Sequence, residues 1–256
     1  MIDKSKNEII NAQLKIEYEK YTSSFLKEWE RAFEKEVKNG HVEKVPDRIN
    51  EFAIIDIDRY DAENGILVIG RETNGWSNKD YENGRLFRDW LEGITKNGLP
   101  KGEHVSKHPN MWYNLGRWLM LIENPETPIE QLCGEKDKAI KAIGKIAFTN
   151  INKVRGKNKI GKEYHTIASA DISMELLKKE IEIINPKIIL CCGTARYVLP
   201  VLTEFSGEII LMPHLEGVKS NIKILDMPHS GARKKTIEML ENLQEELKKI
   251  NGSNHT

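Results

Sequence analysis

Gly65-Ile66-Leu67-Val68-Ile69-Gly70 is a short, wholly apolar run closed by a glycine. A strand apolar at every position has both faces covered, as inside a parallel sheet flanked by helices. Runs at 146–149, 188–192, 209–212 and 222–225 share this texture, and Phe52-Ala-Ile-Ile-Asp-Ile57 is a weaker candidate. Helical patterns lie between or after them, over about 83–97, 110–123, 135–143, 171–184, 194–204 and 233–250. This alternation predicts a three-layer α/β/α domain with a central, mostly parallel sheet. In such sheets the ligand lies beyond the carboxyl ends of the strands. That rule selects segments 70–76, 149–155, 193–196 and 226–233.

Residues 1–40 read as one long helix, with Leu14, Tyr18, Tyr21, Phe25, Trp29, Phe33 and Val37 recurring at steps of three or four. Asn39-Gly40 is suited to end it, since both residues tolerate the left-handed conformation of a helix terminus. An apolar stripe of this kind packs on its own domain more often than on a partner. The expected organisation is an N-terminal helical extension over 1–45, one α/β domain over 46–250 and a disordered tail over 251–256.

The 39 Lys and Arg balance the 39 Asp and Glu, which excludes a globally basic nucleic-acid coat and an acidic disordered tail. A local basic patch stays open, because the sum hides placement. No stretch approaches 18 consecutive apolar residues, and the opening MIDKSKNEIINAQLK lacks the apolar core of a secretory signal. Cys133, Cys191 and Cys192 are too few for a disulfide framework or a four-cysteine metal site. Cys191 and Cys192 read as small core hydrophobes. His104 and His108 lie four apart with no third ligand evident, so no metal is expected. A reducing, cytoplasmic setting is the expectation.

The first selected loop, Gly70-Arg71-Glu72-Thr73-Asn74-Gly75-Trp76, sets a carboxylate, a guanidinium and an amide after a glycine that permits close approach. An ordinary Asn-Gly turn is the competing reading. The second, Thr149-Asn150-Ile151-Asn152-Lys153-Val154-Arg155, places an amide able to donate and accept after a strand. From Lys153 to Lys162 there are five cations and no acid. That run is either a solvated loop or a phosphate-contacting one. The third, Asp226-Met227-Pro228-His229-Ser230-Gly231-Ala232-Arg233, holds a histidine before a small-residue turn, suited to proton transfer or to donating to an anion.

Taken in order, these segments resemble the uracil-DNA glycosylase superfamily over roughly residues 60–240. Gly70 to Gly75 looks like its water-activating loop, and Gly84-Arg85-Leu86-Phe87 like the stretch that supplies an aromatic to stack on the flipped base. Thr149-Asn150-Ile151-Asn152-Lys153 is similar to the stretch holding the base-reading Asn. Asn185-Pro-Lys-Ile-Ile-Leu-Cys-Cys-Gly193 resembles the strand before the last half-unit, and Pro228-His229-Ser230 a His-Pro-Ser loop with the proline moved ahead. The first loop departs from the family pattern, with Thr73-Asn74-Gly75 where a proline is usual. The iron–sulfur branch holds its cluster with four cysteines, a set that this chain lacks.

The resemblance implies a four-stranded sheet and hydrolysis of the N-glycosidic bond of a flipped uracil or other damaged base in DNA. Glu72 would activate water and stabilise the cation-like sugar, with Asn74 as the alternative. Phe87 would stack on the base face, Gly70 would let the base approach closely, and Asn150 would read its polar edge. His229 would donate to the carbonyl oxygen that gains charge. Lys153, Arg155, Ser230 and Arg233 would contact phosphates. Arg71 would either join them or keep Glu72 ionised. The implied partner is DNA, single- or double-stranded, gripped through a local basic loop, with no cofactor, no membrane and a monomeric chain. A non-catalytic nucleic-acid or nucleotide binder on the same scaffold and a nucleoside or nucleotide hydrolase are the alternatives.

Overall fold

The structure, a computed structural model, describes residues 2–40, 48–71, 87–99, 110–154, 162–202, 223–227 and 236–253. Helix α1 (Lys4–Lys38) opens at Asp3, whose carboxylate accepts the Lys6 amide at 3.1 Å. It ends at Asn39 and Gly40, the latter at φ +69°. The edge strand β1 (Ala53–Ile54) is followed by β2 (Ile66–Gly70). Helices α2 (Phe87–Asn97), α3 (Asn110–Glu123), α4 (Ile129–Gly134) and α5 (Lys136–Ala142), then a 3₁₀ turn at Ile143–Lys145, lead to β3 (Ala147–Asn150). Then come α6 (Lys162–Ala168), α7 (Asp171–Ile184), β4 (Ile188–Cys192), α8 (Ala195–Leu202), β5 (Lys223–Met227) and α9 (Thr236–Ser253).

The sheet order is β1-β3-β2-β4-β5. β2 pairs in parallel with both β3 and β4, and β4 with β5, whereas β1 runs antiparallel to β3. The expected four-stranded sheet is therefore corrected to a mixed, five-stranded one. The added strand is the weaker candidate at 52–57, of which two residues pair, antiparallel to the rest. An open edge of this kind invites unwanted pairing. Here Asn11 of α1 covers it, accepting the Ile54 amide at 3.0 Å and donating to the Ile54 carbonyl at 3.4 Å.

From β2 the chain moves one way to β3, then returns past β2 to β4 and on to β5. Right-handed crossovers put α2–α5 on one face of the sheet and α6–α8 on the other. The packing agrees: α3 lies on α5 and α9, while α7 lies on α1 and α8. Gly116 makes the α3–α5 approach possible, since a Cβ there would fall 1.9 Å from the Ala139 carbonyl oxygen. The apolar stripe of α1 is buried at Ile10, Leu14, Tyr18, Phe25, Trp29 and Phe33, so this helix is core rather than a free arm. Cys191 and Cys192 are buried in β4.

Each expected helix is present, some with shifted ends; α4 and α6 are additional. The expected tail begins too early, because α9 continues to Ser253. The apolar run at 209–212 lies outside the described residues. No helix among the described residues is long and apolar enough to cross a membrane.

Candidate functional site

β2 is the strand at which the connections change direction, so its carboxyl end borders the crevice where α/β sheets bind ligands. Gly70 ends β2 and stands in register with Asn150, the last residue of β3. Asn150 thus belongs to the strand rather than following it. The two are packed without slack: a Cβ on Gly70 would fall 2.2 Å from Asn150 Oδ1 and 3.2 Å from the Phe148 ring. Past the strand ends the ladder goes on, with the Ile151 amide donating to the Gly70 carbonyl at 3.0 Å and the Asn152 amide to the Arg71 carbonyl at 2.9 Å.

Side chains alternate across a strand. Phe148 and Asn150 therefore share one face of β3, the face that carries α2. Phe87, the first residue of α2, lies 5.9 Å from the Phe148 ring centroid and also meets Phe52, Trp90 and Trp112. Phe87, the expected stacking aromatic, is thus buried against Phe148, the ring that lies behind Gly70 and Asn150.

Thr149 faces the opposite way, into a polar cluster buried beneath α1 and α7. Lys153 Nζ donates to both carboxylate oxygens of Glu180 at 2.7 Å, to Thr149 Oγ1 at 2.6 Å and to the Asn150 carbonyl oxygen at 2.5 Å. Thr149 Oγ1 donates to the same carboxylate at 2.8 Å, and the Tyr18 hydroxyl adds a further, short hydrogen bond. Burial pulls the Lys153 ammonium below the ordinary lysine value, against the pull of Glu180 upward. Burial, with the Glu180 carboxylate beside it, pushes the Tyr18 phenol well up. The expectation that Lys153 contacts phosphate is corrected here. Its side chain has no exposed surface, and its charge is spent on Glu180.

This cluster was missed in the sequence, though a signal existed. Glu180 occupies a core position of α7, in phase with Leu176, Leu177, Ile181 and Ile184. An acid in an apolar stripe demands a buried cation. The cluster fixes the backbone from which Asn150 projects, so α1 supports the site through Tyr18.

On the other flank of β2, Asn185 closes α7 in the left-handed conformation at φ 47°. The Lys187 amide then bonds to the Gly65 carbonyl at 2.9 Å, starting β4 in register with β2. After β4, Gly193 adopts φ +68°, and a Cβ there would fall 2.5 Å from the Arg71 guanidinium. Thr194 Oγ1 donates to the Ile69 carbonyl at 2.9 Å. Arg71 is thereby laid across the turn that opens α8.

β5 ends at Met227, opposite Cys192 at this same edge. Glu72, Asn74, Arg155, His229, Ser230 and Arg233 lie outside the described residues. Among the described residues no group of three or more His, Cys, Asp or Glu is arranged to hold a metal ion. No protein-family model matches the chain, and no curated protein matches it.

Proposed function

We propose that this chain is a DNA glycosylase-like hydrolase that cleaves the N-glycosidic bond of a flipped uracil or other damaged base. The observation that supports this reading is the contact between Gly70 and Asn150 at the carboxyl edge of the sheet, with Phe148 and Phe87 behind it. A side-chain-free position lets the Asn150 amide seat against the backbone of β2. The adjacent amide offers a donor and an acceptor, the pattern that a pyrimidine edge requires.

In the proposed reaction Glu72, or Asn74 in its place, orients water below the sugar. His229 donates to the base oxygen on which charge develops as the bond breaks. Asn150 holds the opposite polar edge of the base. Arg71 lies close enough to that edge of the sheet to take a strand phosphate beside Gly193. Lys153 has no part in DNA contact; it holds the Asn150 backbone. Neither a metal nor an organic cofactor enters this scheme.

The test is alkali-revealed cleavage of labelled oligonucleotides carrying uracil, single-stranded and mismatched, by wild type, Glu72→Gln and His229→Ala. Cleavage by wild type that falls sharply in both variants supports the reaction and both roles. Salt-sensitive binding without cleavage points to another lesion or to a non-catalytic binder. Neither binding nor cleavage favours a nucleoside or nucleotide hydrolase.

A further inference from the structure

We propose that Arg196, His165 and Tyr197 form a phosphate-binding subsite beside the carboxyl edge of the sheet. Arg196 and Tyr197 lie in the first turn of α8, directly after Gly193 and Thr194. His165 lies on α6, which opens just after the basic run leaving β3. The Arg196 guanidinium stacks over the Tyr197 ring, 4.6 Å from its centroid. One of its terminal nitrogens sits 2.7 Å from His165 Nδ1 and 2.6 Å from the Tyr197 hydroxyl. The His165 ring lies nearly parallel to that of Tyr197, and Tyr164 meets Tyr197 edge-on at 5.9 Å. Tyr197 is 7% exposed, so the platform under the guanidinium is part of the core.

This arrangement suits an anion rather than internal pairing. Arginine only donates, and the atoms that its terminal nitrogen faces are His165 Nδ1 and the Tyr197 hydroxyl, which also lie against each other. Among the described residues no carboxylate pairs with Arg196, whereas Arg31 pairs with Glu28 and Arg88 with Asp89. A guanidinium held in plane by a ring beneath it and an acceptor beside it loses little freedom on binding. Its remaining donors match the oxygens of a phosphate. The position continues the edge marked by Arg71, which covers Gly193, three residues before Arg196. That the phosphate belongs to a polynucleotide strand rests on the proposed glycosylase reading; the phosphate chemistry itself does not.

Two readouts test the subsite: His165 ring resonances during titration with inorganic phosphate, and the salt dependence of binding to a single-stranded oligonucleotide. Arg196→Gln is compared with wild type and with Arg31→Gln, an exposed control on α1. The expected result is a saturable His165 shift in wild type and Arg31→Gln that is lost in Arg196→Gln. In the same variant the salt slope of oligonucleotide binding should fall by about 0.7, the loss of one phosphate contact on a single strand. A phosphate shift without oligonucleotide binding retains the subsite and overturns the glycosylase reading. A shift with an unchanged slope in Arg196→Gln retains phosphate binding and overturns the strand assignment. Absence of both effects overturns the subsite.

Discussion

Lys153 Nζ lies 2.7 Å from each carboxylate oxygen of Glu180, and the two side chains are 0% and 1% exposed. Removing one partner leaves a buried charge uncompensated, which costs about 3–5 kcal/mol. Lys153→Met and Glu180→Leu should each lower the unfolding free energy by that amount, read as a lower urea midpoint. The double variant should recover most of the loss, because well-packed apolar side chains replace a buried pair at little cost. Single variants with unchanged midpoints would show that the pair does not form.

Tyr18 predicts a specific alkaline signature. Its hydroxyl is held neutral by burial and by Glu180, so its native pKa lies above the unfolded value of 10.0. Above that value the unfolded chain releases a proton that the native state keeps, so stability falls as pH rises. Below it this contribution is fully present. Tyr18→Phe removes the effect. The stability difference between wild type and Tyr18→Phe should shrink above pH 10 by about 1.4 kcal/mol per pH unit. Denaturation at pH 8, 10 and 11 provides the check, and a constant difference would contradict the burial of this phenol beside Glu180.

Gly70→Ala should displace Asn150 before it unfolds the protein. The new Cβ would meet Asn150 Oδ1 at 2.2 Å, and the nearest relief is rotation of that amide. Overpacking of this kind costs about 1–3 kcal/mol. Binding of a base-containing ligand should be lost while the fold, followed by circular dichroism, persists. A ligand affinity equal to wild type would separate Gly70 from the site.

Gly193→Ala carries two costs that a double variant separates. The position lies at φ +68°, where an alanine costs roughly 1–2 kcal/mol, and its Cβ would also strike Arg71 at 2.5 Å. Arg71→Ala should relieve the collision and leave the backbone cost. Denaturation midpoints of the two single variants and the double variant should therefore be non-additive. Strict additivity would mean that Arg71 does not cover the turn.

Much of the framework was legible because its signals are local. The apolar run ending at Gly70 and the Asn185-Pro186 boundary of α7 each carry their reason in adjacent residues. The stripe of α1 predicts its own burial but not its target. That Tyr18 meets Glu180, 162 positions away, depends on packing that no local period encodes. Lys153 illustrates the same limit. In sequence it heads a run of cations and reads as surface; in the fold it turns inward, because Glu180 occupies the core face of α7. The candidate at 52–57 is realised only as Ala53–Ile54, and its antiparallel direction escaped because two residues carry no signal of which way a strand pairs. The His165, Arg196 and Tyr197 grouping escaped because its members come from two helices.

In the proposed reaction Asn150, set against Gly70 at the end of β3, reads the base. The most direct measurement is single-turnover release of uracil from a single-stranded oligonucleotide by wild type and by Asn150→Ala, with thymine in place of uracil as control. Wild type should release uracil, the thymine control should release none, and Asn150→Ala should be slower by on the order of a hundredfold. No release by wild type, or equal rates in the two proteins, would contradict that role.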